Sequence, residues 1–423
     1  MLLTRHEARL TKLLYTEIFF SSLPAAVIAF NGAYVLRLGG SSLDVSLLTA
    51  LPALAAALLS VPVGAFLQGR ANPHRWVLAC LGLYWTGFFL LAFVPWVRLP
   101  GVPPASVAVA VLGLFSLPTQ IFNVGIYALL QDLTSERNRV HVFAARAIIN
   151  ASMMSGLTLL IGQWLERVDF PRNYQLAYGF SFLGGLVGVG LLTYASRLPR
   201  LRPVPTSAAS TAPAARPALI PRDIARHTDF IHITVNTLLH GLAIWLAAPL
   251  FTLYFVRQLG AGDAWLGLYA TVTSLFTIGG LFFWRWVVKR WRVDRTLRAT
   301  VWCVGIMPLL VGLVPNLTFM LGMGAFYGFM SAGLTVSHIN VVLPTLPEDR
   351  RQQFFGLYAA LLNIGAFAAP LVAVGVADQI GLGAALAGCG VIGLVGAASH
   401  WIWRVPGRAR GPVAAPQPEV GTF

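Results

Sequence analysis

The sequence predicts an all-α membrane protein: twelve transmembrane helices in two pseudo-symmetric six-helix halves. Three observations carry that prediction. The composition is too apolar for a soluble chain, twelve hydrophobic runs have spanning length, and a repeat relates the halves. Of 423 residues, 57% are hydrophobic and 11% charged, and mean hydropathy is +0.72. Soluble domains carry about 25% charged residues. A chain this long needs such a charged skin over two or three cores, so a soluble globular protein is excluded. Disorder is excluded too, since it requires low hydrophobicity and high charge. Cys80, Cys303 and Cys389 lie inside apolar stretches with no disulfide or zinc spacing, so no metal or cofactor is expected.

Apolar runs of about 20 residues can cross a bilayer. They fall at 12–36, 43–68, 76–97, 104–130, 140–165, 174–195, 229–256, 264–284, 298–315, 317–343, 353–377 and 382–403. Only Pro315 and Asn316 part the ninth run from the tenth. The first run is too long for a cleavable signal peptide. Lipid offers backbone N–H and C=O groups no partner, so the runs are helices. Barrel strands would be shorter and would alternate.

Orientation follows from Lys and Arg. With the N-terminus cytoplasmic, 25 of these residues lie on the cytoplasmic side and 5 on the other. Positive residues collect inside, so both termini are expected in the cytoplasm, in the cell membrane. The same distribution explains the net charge of +15 without nucleic acid, because a basic cluster falls in every second loop. Residues 197–228 join the halves. Their centre, Pro203 to Pro217, is rich in Pro, Ala and Ser, a linker composition. The expected organisation is therefore 1–196, a six-helix half; 197–228, a linker; 229–404, a second half; and 405–423, a tail.

Self-similarity relates the halves. Shifted by 221 residues, Leu38-Gly39-Gly40-Ser41 through Leu47 falls on Leu259-Gly260-Ala261-Gly262 through Leu268. Shifted by 213, Leu133 to Arg137 falls on Leu346 to Arg350, and Asn150 on Asn363.

Two six-helix halves, a long central loop and both ends inside resemble the major facilitator superfamily of secondary transporters, over about residues 10–404. The family's loop between helices 2 and 3 usually reads Gly, three residues, Asp, Arg, one residue, Gly, Arg, Arg or Lys. Here Gly64 is present, but Gln68 holds the Asp position and Ala71 that of the second Gly; Arg70 and Arg75 keep basic character. In the second half Arg285, Lys289 and Arg290 stand in place of Gly, Asp and Arg. The resemblance makes these gate-loop positions, yet the acidic residue that would latch the loop is absent from both halves. It implies transport of a small molecule by alternating access, with the site between the halves near mid-membrane. It also implies a central cavity lined by helices 1, 4, 7 and 10, with 3, 6, 9 and 12 facing lipid. A monomer in the bilayer is expected. A receptor or scaffold on the same fold, and an integral membrane lipid-modifying enzyme, remain alternatives.

Polar groups at membrane depth are costly, so each is a site candidate. The first run carries Glu17, Ser21 and Asn31. Glu17 and Ser21, with Ser22, share one helical face, and Glu17 is either a cation or proton site or an ion-pair partner of Lys12 or Arg146. In the fourth run Gln120, Asn123 and Tyr127 share a face, as substrate hydrogen-bonding groups or interhelical glue. Arg146 and Asn150 follow at i, i+4 in the fifth; Arg146 either grips an anion or pairs with Glu17. The seventh run holds a stripe of His232, Asn236 and His240, then Trp245. Tyr327, Ser331, Thr335 and His338 mark the tenth run, though such hydroxyls often bond their own backbone. Asn363 completes the set. Protons are a possible coupling ion through Glu17, His232 or His240, with passive facilitation as the contrary case.

Overall fold

A computed structural model of the chain describes residues 5–198 and 224–404. Within them twelve helices are long and apolar enough to cross a membrane. The first half holds α1 (Arg5–Arg37), α2 (Ser42–Gln68), α3 (Pro73–Phe93), α4 (Pro104–Asp132), α5 (Arg139–Arg167) and α6 (Arg172–Arg197). The second holds α7 (Thr228–Leu253), α8 (Asp263–Arg290), α9 (Val293–Leu313), α10 (Leu317–Val342), α11 (Arg351–Ile380) and α12 (Leu382–Ile402). Two starts differ from the hydropathy reading. Both α1 and α9 begin earlier, at Arg5 and Val293, because their first turns are charged helix that an apolar window overlooks. Residues 199–223 of the expected linker and the 405–423 tail lie outside the described residues.

The repeat is visible in the backbone. Gly39 and Gly260 both take positive φ, +80° and +66°, which only glycine adopts without strain. The residues that then open α2 and α8 match closely: Ser41 at φ −77°, ψ 170° and Gly262 at φ −78°, ψ 172°. Ser41 and Asp44 form a capping box, which satisfies the first orphan N–H groups of α2.

Packing repeats in the same way. In the first half α1 lies against α5 and α6, α4 against α2 and α3, and α3 against α6. In the second, α7 lies against α11 and α12, α10 against α8 and α9, and α9 against α12. Across the halves α2 meets α11 and α5 meets α8, again an exchange-related pair. Large apolar side chains such as Leu58, Leu114, Leu160 and Phe282 stay exposed, as a surface solvated by lipid requires. The end of the bundle bearing Arg70, Arg137, Arg290 and Arg350 is called the basic end below, and the other the far end.

Candidate functional site

Polar contacts join the halves at the far end. Arg37, closing α1, lies 2.7 Å from the carboxylate of Asp263, which opens α8 and is 1% exposed. It is a charge contact, because Asp263 Oδ2 has no partner in hydrogen-bond geometry. Asp263 Oδ1 accepts from Tyr174 of α6 at 2.7 Å. In return Arg257, just past α7, donates to Ser42 Oγ at 2.9 Å and to the Gly40 carbonyl at 2.5 Å. Each half thus sends an arginine from the end of its first helix to the start of the second helix opposite. Glu166 of α5 accepts from the Ala264 N–H at 3.2 Å, capping α8 from the other half with a negative group. Further in, Thr271 donates to the Ser155 carbonyl at 2.9 Å. A Cβ on Gly162 would come within 2.7 Å of the Asp263 carbonyl, so α5 and α8 touch backbone to backbone.

A second cluster lies inside the first half. Glu17 and Arg146 form an ion pair at 2.5 Å, with side chains 4% and 10% exposed. Arg146 also donates to the Leu14 carbonyl at 2.6 Å, and Ser21 donates to Glu17 Oε1 at 2.7 Å. Beside them Ser22 donates to Asn150 Oδ1 at 3.0 Å. Of the alternatives that the spacing leaves for Glu17 and Arg146, the structure selects the pair.

The third feature is a cavity of about 400 Å³ inside the second half. It lies between α7 and α10, with Val301 of α9 and His400 of α12 on its wall. Helices 9 and 12, expected to face lipid, thus each give the cavity a wall residue. The cause is the stripe on α7, which points to α12: His232 stacks on Trp403 with ring centroids 6.3 Å apart, and Asn236 donates to the Trp403 carbonyl at 3.0 Å. A Cβ on Gly396 of α12 would sit 2.7 Å from the His240 backbone nitrogen, so only glycine lets the helices meet there.

Three imidazoles converge on the cavity. His240 is 5% exposed, and neither ring nitrogen has a hydrogen-bond partner. His400 Nδ1 lies 2.9 Å from the Gly396 carbonyl; a carbonyl only accepts, so that nitrogen carries the proton. His338 Nε2 is 3.0 Å from both Thr237 Oγ1 and Tyr358 OH. Trp245 shares the wall, its indole fitted where Gly241 and Gly365 have no side chains.

The remaining candidates do not gather at one place. Asn31 accepts from Tyr178 at 2.9 Å, gluing α1 to α6. Gln120 is buried, whereas Asn123 and Tyr127 on its helix are exposed, and Tyr127 stacks on Phe143. Ser331 and Asn363 bond carbonyls of their own helices, as does Thr335, whose exposed side chain lines the cavity. Tyr327 packs half-buried against the core.

The family model described as Major Facilitator Superfamily matches residues 233–422. The same fold covers the chain end to end in solved transporters: the POT family transporter PepTSo (TM-score 0.72, 10% identity, 93% of this chain and 97% of that one), a point mutant of nucleoside transporter NupG (0.68, 13%, 93% and 100%), and a D-xylose-proton symporter (0.68, 12%, 95% and 99%). The chain has the fold of these transporters, and the superfamily's model matches its second half. No curated protein matches it in sequence. With that fold go twelve helices long and apolar enough to cross a membrane.

Against the superfamily's loop pattern, the basic residues here rest on rings. The Arg70 guanidinium lies 4.4 Å from the Phe66 ring centroid and 5.2 Å from that of Trp76, and Arg290 lies 4.3 Å from Trp286. Arg75 and Lys289 are exposed, and a Cβ on Gly64 would meet nothing. Where the loop acid is missing, His74 Nε2 binds Asp132 at 2.8 Å and ties α3 to the end of α4. Two residues of these clusters escaped the sequence reading. Asp263 looks like an ordinary helix-opening acid, and His400 sits beside Arg404 at a span end, where histidine is unremarkable. Only the pairing of α1 with α8 and of α7 with α12 gives them meaning.

Proposed function

We propose that the chain moves a small solute across the cell membrane by alternating access, with the basic end and both termini in the cytoplasm and the protein acting as a monomer. One observation carries the reading: a reciprocal arginine latch holds the halves together at the far end, while the cavity lies on the basic side of mid-bundle. Thr237 and His400 belong to the basic-end parts of α7 and α12, and Trp245 marks the cavity's inner limit. The arrangement is that of an inward-open carrier. Breaking the latch and closing the basic end would present the cavity to the other side. Pseudo-symmetric packing supports such rocking, since two equivalent interfaces, α2 with α11 and α5 with α8, can exchange roles.

The coupling group in this reading is His240 and not Glu17. Glu17 already has its countercharge in Arg146, whereas His240 stands buried with both nitrogens unpartnered. Imidazole changes charge near neutral pH. Purified protein in proteoliposomes tests the proposal: saturable, protein-dependent uptake of a solute is expected, with accumulation lost in His240→Gln while downhill exchange persists. A protein that binds solutes yet moves none would be a receptor on this fold.

A further inference from the structure

The cavity in the second half has walls of one chemical character and one possible charge. Ile244, Trp245, Val301, Leu334 and Ile339 make it apolar. Among the described residues no carboxylate, lysine or arginine lines it; the ionisable groups there are the three imidazoles. A charge arising on this wall is therefore positive.

The groups facing His240 can be named helix by helix. His400 comes from α12, with ring centroids 6.5 Å apart, and His338 from α10. Tyr358 of α11 stands behind His338. Asp294 and Arg298 of α9 lie beyond His400, beside a small void of about 10 Å³, and Asp294 is met by Arg292 at 3.1 Å and Arg298 at 3.2 Å. The one charged residue of α2, Asp44, is held in its own cap. On α7 itself, Asp229 and His232 lie about three and two turns away.

A bare buried imidazole forgoes the hydrogen bonds that water would supply. Protonating it alone would create an uncompensated charge, and an anion entering alone would do the same. Entering together they cancel. We propose that this cavity binds a monovalent organic anion with a compact apolar body, and that His240 takes up one proton as the anion arrives. A permanent cation would find no countercharge, and a dianion would leave one charge unmet. The fixed face of Trp245 and the aliphatic walls suit a single ring, and the volume falls in the range of small-molecule sites. This deepens the transport reading, since anion and proton would then cross as a neutral pair.

The test is titration calorimetry on the purified full-length protein between pH 5.5 and 8. Benzenesulfonate is the anionic probe, benzamide the neutral one and benzylamine the cationic one. Benzenesulfonate does not titrate in this range, so any proton taken up resides on the protein. Its affinity is expected to weaken by up to about tenfold per pH unit as pH rises, with one proton absorbed per ligand, read from the dependence of the enthalpy on the buffer. His240→Gln should remove that slope, and His232→Gln, outside the cavity, should keep it. Thr335→Trp, entering from an exposed position, should fill the cavity and abolish binding without altering an imidazole. Benzylamine binding as tightly as benzenesulfonate, anion binding without proton uptake, binding that survives Thr335→Trp, or no benzenesulfonate binding at all would each overturn the proposal. Benzenesulfonate that binds but never crosses proteoliposomes would instead sink transport and leave the site standing. Uptake of other solutes by a protein that does not bind the anion would do the reverse.

Discussion

Replacing Glu17 with Gln should strip Arg146 of its countercharge while preserving shape. The pair is 2.5 Å apart and its side chains are 4% and 10% exposed, so water screens it little. Two charges about 4 Å apart attract by about 4 kcal/mol at an effective dielectric of about 20. The Ser21 hydrogen bond to Glu17 Oε1 adds about 1 kcal/mol. Arg146 keeps its bond to the Leu14 carbonyl, which returns part of this. A loss of about 3–5 kcal/mol is expected, the usual cost of an orphaned buried charge. The assay is a double-mutant cycle in detergent, unfolding wild type, Glu17→Gln, Arg146→Met and the double variant. At least half the loss should return in Glu17→Gln/Arg146→Met, because no unpaired charge remains. A loss below about 1 kcal/mol in Glu17→Gln, or a cycle without coupling, would refute the reasoning.

Other expectations follow from close contacts. Gly396→Leu would drive a side chain into the His240 backbone, so benzenesulfonate binding should fall at least tenfold while the protein remains folded by circular dichroism. Gly162→Val should pry α5 from α8 at the far end, and a cysteine at Thr158, buried beside that contact, should react with maleimide faster. His74→Phe should unlink α3 from Asp132 and loosen the basic-end loop, read as faster proteolysis near Arg70 with binding in the cavity unchanged.

Most of the fold was legible because lipid imposes a simple rule. A backbone with no outside partner must be helical, so apolar length alone marks twelve spans, and Lys and Arg mark their ends. The repeat was legible because Gly39 and Gly260 serve one backbone need, a positive φ before the next helix. The Glu17–Arg146 pair could be framed as an alternative, since charges inside apolar runs are few. The latch and the cavity were not legible. Arg37, Arg257 and Asp263 sit at helix ends, where charge is the ordinary state. His240 shows its spacing along α7, but its direction depends on Gly396, a residue without a side chain on a helix far along the chain. Which side of a helix meets which neighbour is a property of packing, and hydropathy does not record it.

Alternating access itself is tested most directly by reading both ends of the bundle in one experiment. Arg257→Ala with Asp263→Asn removes both arms of the latch; Arg37 is partly exposed, so the sum is discounted to about 3 kcal/mol, on the order of a hundredfold in the equilibrium between states. With the native cysteines replaced, single cysteines at Thr158 for the far end and Thr335 for the cavity report accessibility in proteoliposomes. Thr158→Cys should label at least tenfold faster in the latch variant, and Thr335→Cys at least twofold slower, because opening one end closes the other. Faster labelling at Thr158→Cys with Thr335→Cys unchanged would mean a loosened end on a static bundle, and would contradict the account.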